Sequence, residues 1–103
     1  MDTYTYSAEN VAKRLSQLRK YLKLNQKEFA KSIDVGYTQY NNWEKAKQRL
    51  SLEGGLKINA VYGTTLDFLF LNRRDTLPHA MAVAFAPKPL ALSSKVSNEA
   101  PDD

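Results

Sequence analysis

The apolar and polar positions of the chain recur at helical spacing, and the Val/Ile/Thr alternation that marks strands is scarce. Val11, Leu15, Leu18 and Leu22 fall at i, i+4, i+7 and i+11. They predict one apolar stripe on a helix over 8–22, with Ser7 as its N-cap. Lys13, Arg14, Lys20 and Lys23 lie off that stripe, which predicts that they are solvated. A second helix starts at "NQKE", where Asn25 and Glu28 have the spacing of a capping box. Phe29, Ala30 and Ile33 supply its apolar face. "DVG" stops it, because Asp34 tolerates a left-handed backbone and Gly36 can cap the next helix.

The third predicted helix, 37–45, reads "YTQYNNWEK". At about 100° per residue, Tyr40 and Trp43 share one side, and Thr38, Asn41, Asn42 and Lys45 share the other. Tyr37 stands on the flank of the polar side. The loop "AKQRL" leads to Ser51, the N-cap of a fourth helix over 52–62 that ends at Gly63. Gly54 and Gly55 lower its propensity and leave open whether another element approaches there. Thr65 caps a fifth helix, 66–71, and "NRRD" is a loop. "TLPHAMAVAFA" predicts a short sixth helix with Pro78 in its first turn. From Pro87 onward three prolines and no lasting period predict a disordered tail.

The outward side of the third helix departs from an ordinary solvated surface, which favours Glu, Lys, Arg and Ala. Asn and Thr are weak helix formers. Asn, however, matches the acceptor and donor pair on an adenine edge, and Thr can bond a base or touch a thymine methyl. Lys45, Lys47 and Arg49 lie close by and suit phosphates. The alternative is that Asn41 and Asn42 are incidental surface residues.

Charge sharpens this picture without deciding it. The net charge is +4, and residues 1–50 hold ten Lys/Arg against five Asp/Glu, while the remainder holds five against six. A basic half suits a polyanionic partner or is simply a solvated helix surface. With 103 residues, 43% of them hydrophobic and 25% charged, one small domain is expected. No cysteine is present, so neither a disulfide framework nor a thiolate metal site can form. No apolar run approaches the roughly 18 residues that cross a bilayer. The polar opening "MDTYTYSAEN" does not read as a signal peptide, and a cytoplasmic location is expected.

Chemistry of other kinds finds little support. His79 is the single histidine and has no second ligand type nearby, so no metal site is expected. Asp67, Asp75 and Glu53 are scattered, and the serines at 93, 94 and 97 have no base beside them. No phosphate-binding glycine loop occurs. No catalytic residue, cofactor or enzymatic activity is expected.

The stretch "LNQKEFAKSIDVGYTQYNNWEK" resembles the helix-turn-helix of the phage repressor and Cro-type (XRE-like) family. The matching elements are the Leu24–Asn25–Gln26 entry, Ala30, Ile33, the turn, Tyr40 with Trp43, and Glu44. The likeness continues through "SLEGGLKINAVYGTTLDFLF" and covers about residues 10–71. It implies an all-α, compact five-helix bundle of the lambda-repressor-like type, to which the sixth segment adds a short C-terminal helix. The third helix would lie in the DNA major groove. Carried over by position, Tyr37, Thr38, Asn41 and Asn42 would face base edges, and Gln26, Lys27, Lys45, Lys47 and Arg49 would meet phosphates. Gln26 would also brace the recognition helix, and Arg19 would pair with Glu44. Residues 1–72 would form the DNA-binding domain, 73–86 a capping or dimerisation element, and 87–103 the tail.

The family usually has glycine where Asp34 and Ala46 stand. Asp34 fits the turn. Ala46 makes a left-handed position strained, which predicts that the third helix runs one residue longer or ends differently. Tyr37 is bulky where many relatives carry a smaller polar residue. The resemblance implies a sequence-specific, double-stranded DNA-binding transcriptional regulator, a repressor acting as a homodimer. Two alternatives stand beside it. One is an antitoxin that binds its own operator while its tail wraps a toxin. The other is a helix-turn-helix used only for binding protein.

Overall fold

The computed structural model describes residues 4–86, and among these it is all-helical. The helices are α1 (Ala8–Tyr21), α2 (Gln26–Ser32), α3 (Tyr37–Glu44), α4 (Leu52–Tyr62), α5 (Leu66–Leu71) and α6 (His79–Ala84), with a 3-10 turn at Arg74–Thr76 before the last. The tail expected over 87–103 lies outside the described residues.

The caps explain where the helices begin. Ser7, Asn25, Ser51 and Thr65 each accept from the backbone N–H three residues on, and Glu28 closes the capping box on Asn25. Each such cap contributes about 1 kcal/mol.

Three helix ends share one device. Helices α1, α2 and α3 are succeeded by Lys23, Asp34 and Ala46, with φ of 61°, 58° and 59°. In each case this residue donates back to a carbonyl three before it, and the next residue donates to one five before it: Lys23 to Lys20 and Leu24 to Arg19, Asp34 to Lys31 and Val35 to Ala30, Ala46 to Trp43 and Lys47 to Asn42. This is the Schellman ending, usually built with glycine. The expectation of a longer or different third helix is therefore corrected. The helix stops at Glu44, and Ala46 takes the left-handed position itself, because two satisfied carbonyls offset the clash of its Cβ.

The core gathers one face from every helix. Leu15, Leu18, Phe29, Tyr40, Ile58, Phe68 and Leu69 are fully buried, with Trp43 and Ile33 beside them. Helix α1 lies across α3 and α5, α2 packs on α3, and α4 packs on α5. The paired glycines of α4 serve this packing. The Trp43 indole lies so close to Gly54 that a β carbon there would overlap it, and Leu66 sits equally tightly over Gly55.

Arg14 departs from expectation. It is buried, not solvated. Its Nη1 donates to the carbonyls of Thr5 (2.5 Å) and Leu69 (2.9 Å), so it fastens the segment before α1 to the last turn of α5. Burial pushes its pKa down, yet guanidinium stays charged at any ordinary pH. Position 14 stands three residues after Val11 and four before Leu18, so it borders the apolar stripe. Its aliphatic stem can run along that stripe while its head finds carbonyls.

Helix α6 turns Met81 and Phe85 inward. The Phe85 ring stacks on Phe68 at 5.3 Å and meets Tyr21 edge-on. Val83, on the other side, is exposed. Pro78 stands at the N-cap, one position before the first turn.

Candidate nucleic-acid interface

Helix α3 is held by its inner side. Tyr40 and Trp43 are buried, and the Tyr40 ring packs on Phe29 at 4.9 Å. The opposite side carries the residues that the spacing placed there. Tyr37, Thr38 and Lys45 are exposed, while Asn41 and Asn42 are half-buried. Thr38 and Asn42 make no side-chain hydrogen bond among the described residues, so their polar groups stay open to a partner.

Glu44 joins the inner and outer sides. Arg19 donates to it through Nε (2.7 Å) and Nη2 (3.2 Å), and Gln26 Nε2 donates at 3.0 Å. The Tyr40 hydroxyl donates to the same carboxylate. Arg19 Nη1 also donates to the Leu24 carbonyl at 3.0 Å, which ties the pair to the end of α1. Both side chains are largely shielded, at 16% and 6% exposure. Burial works against the charge on Glu44, but the donors from Arg19, Tyr40 and Gln26 together hold its carboxyl below the ordinary value. Burial and that same carboxylate push the Tyr40 phenol well up, so it remains a donor. The Arg19–Glu44 pairing expected from the resemblance is thus present. The Tyr40 hydroxyl was not anticipated; its i, i+4 spacing to Glu44 was the available signal.

The network continues outward. Gln26, the first residue of α2, receives a hydrogen bond from Asn41 Nδ2 at 2.7 Å on its own Oε1. Gln26 therefore braces α3 from two points, Asn41 and Glu44.

Cations flank the polar side at both ends. Lys27 on α2 holds its ammonium 5.6 Å from the Tyr37 ring centroid, a cation–π arrangement. Tyr37, Lys27, Lys31 and Asp34 border an open cleft of about 430 Å³ at the turn. Past the other end, Lys45, Lys47 and Arg49 are exposed. Arg49 spends one donor on the Tyr6 carbonyl at 3.0 Å and has four N–H groups left. An open groove of about 370 Å³ between α1 and the end of α3 is lined by Lys13, Ser16, Lys45 and Ala46 among others. Among the described residues no cluster of His, Cys, Asp or Glu could hold a metal ion, and no helix is long and apolar enough to cross a membrane.

Two short helices joined by a tight turn, the second fastened inward and polar outward, form a helix-turn-helix unit. Residues 15–69 match the family model described as Helix-turn-helix. The chain belongs to the phage repressor and Cro-type helix-turn-helix family. It is accordingly a DNA-binding helix-turn-helix regulator. No curated protein and no solved structure matches the chain. The two helices of that unit are α2 and α3, and both lie within the matched residues.

Proposed function

We propose that this chain is a sequence-specific transcriptional repressor that places α3 in the major groove of duplex DNA, works in the cytoplasm and binds as a homodimer. The observation that carries the reading is the α3 surface. Tyr37, Thr38, Asn41 and Asn42 line the outward side of a helix whose inner side is fastened by Tyr40, Trp43 and Glu44. Lys27 stands at one end of that surface and the exposed Lys45, Lys47 and Arg49 at the other, where they would meet phosphates. The four base-facing residues read sequence, the four cations neutralise phosphates, and Gln26 meets one more phosphate while bracing α3. Dimerisation would use apolar residues left outside the core, such as Leu56, Leu71 and Val83, since Met81 and Phe85 of α6 are occupied within it.

Binding measured against salt tests the reading. Four phosphate-neutralising cations give a slope of log affinity on log salt of about −3.6 per domain. Lys47→Ala should flatten the slope by about 0.9 and weaken all sequences alike. Asn42→Ala should weaken the preferred site by about 1–3 kcal/mol and relax one base position. Salt-insensitive binding, or identical behaviour of the two variants, overturns the division into base and phosphate contacts.

A further inference from the structure

We propose that Gln26 sets the hydrogen-bonding polarity of Asn41, so that Asn41 presents its carbonyl oxygen and selects a base with an exocyclic amine in the major groove, adenine or cytosine. The inference rests on the DNA-reading proposal above and adds to it the class of base that one position takes.

The chain of contacts starts in the core. An ionised carboxylate only accepts hydrogen bonds. Glu44 is ionised, surrounded by the donors of Arg19 and Tyr40. Gln26 therefore has to turn its NH2 toward Glu44, where Nε2 lies 3.0 Å from Oε1. That choice leaves the Gln26 carbonyl oxygen as the other end of its amide. This oxygen lies 2.7 Å from the Asn41 amide, so the Asn41 atom facing it has to be the nitrogen. A flipped Asn41 would set two acceptors against each other. Each amide is thus oriented by the one before it, and the negative charge on Glu44 is passed outward as an acceptor on Asn41.

The Asn41 oxygen has no hydrogen-bond partner among the described residues and remains for a ligand, as does the one N–H of its amide that is not given to Gln26. Side by side they match an exocyclic amine next to an acceptor, and the fixed oxygen repels a base edge that offers acceptors alone. In the major groove adenine offers N6–H2 and cytosine offers N4–H2 as donors, while guanine and thymine offer only acceptors at the corresponding positions. An untethered asparagine can turn either end to a base. Asn42, one residue on, has no such tether and keeps that freedom. Gln26 is in this respect a positioning residue for base choice, apart from any phosphate it meets.

Two measurements on the full chain test this. The first is selection of binding sites from randomised duplex DNA by the wild-type protein, Asn41→Ala and Gln26→Ala. Asn41→Ala should lose preference at one position, where the wild type takes adenine or cytosine on one strand by about tenfold or more. Gln26→Ala should widen that same position to guanine or thymine while the other positions keep their preferences. Loss of a lone phosphate contact would instead lower affinity for all sequences equally. The second is side-chain amide NMR relaxation of the free protein. The Asn41 NH2 group should be as ordered as the backbone in the wild type and mobile in Gln26→Ala, with Asn42 mobile in both. A position that specifies guanine or thymine, an unchanged selection in Gln26→Ala, or a mobile Asn41 amide in the wild type overturns the inference. If the wild type selects no sequence at all, the base-reading proposal falls and this inference with it. A clear wild-type preference with any of the adverse results removes this inference alone.

Discussion

Ala46 offers a test in which the sign of the effect carries the information. Its φ of 59° lies where an L side chain crowds the following carbonyl. That crowding amounts to about 1–2 kcal/mol. Both hydrogen bonds of the helix ending run through backbone groups, Ala46 N–H to Trp43 and Lys47 N–H to Asn42, so neither depends on the methyl group. Ala46→Gly relieves the crowding and keeps the bonds. Against it stands the greater freedom of glycine in the unfolded chain, about 0.4–1 kcal/mol. The balance is a stabilisation of about 0.5–1 kcal/mol. The control is Ala60→Gly, an exposed position inside α4 with ordinary helical backbone. There nothing is relieved, and the change should destabilise by about 0.5–1 kcal/mol. Thermal or urea unfolding of both variants reads the difference. For a domain of this size 1 kcal/mol moves Tm by roughly 4–8 °C. Ala46→Gly should melt above the wild type and Ala60→Gly below it. If both melt lower, the left-handed Ala46 is not strained and the account of the α3 ending is wrong.

The packing and the buried network lead to three further outcomes. Glu44→Ala should destabilise by about 3–5 kcal/mol, because it leaves Arg19 without its partner and strands the Tyr40 hydroxyl. Since the folded Glu44 titrates below its unfolded value, its contribution is whole above about pH 4.5 and is lost as pH falls through the depressed folded value. Urea midpoints measured between pH 3 and 6 should therefore drop more steeply for wild type than for Glu44→Gln; parallel curves would contradict this. Gly54→Ala should destabilise by about 1–3 kcal/mol through collision with the Trp43 indole, and a gain in Tm would show that the helices can part there freely. Phe85→Ala should destabilise by about 3–5 kcal/mol, since its ring is buried against Phe68 and Tyr21, and a Tm within a degree or two of wild type would place α6 outside the cooperative unit.

Much of this molecule is determined by local and periodic signals that a linear reading contains. Apolar residues three and four apart have to share a helix face, so the stripe of Val11, Leu15 and Leu18 and the inward pair Tyr40 and Trp43 result from spacing. Ser7, Asn25, Ser51 and Thr65 cap their helices through contacts only three residues long. The polar side of α3 results from the same geometry, because burying one side of a helix exposes the other. The tertiary structure decided whatever depends on residues distant in the chain. Whether Arg14 is solvated turned on a carbonyl of Leu69, 55 residues away, being within reach. Whether Gly54 and Gly55 serve close packing turned on where Trp43 and Leu66 came to rest. Lys23 and Ala46 carry no glycine signal, so their left-handed backbone was not legible in the chain even though the bonds that hold it reach back only three to five residues. Asn41 shows the division most clearly. Its spacing put it on the outward side, but the direction of its amide came from Gln26 on another helix and, through it, from a charge in the core. Periodicity assigns a residue to a face; only the assembled fold assigns it a partner.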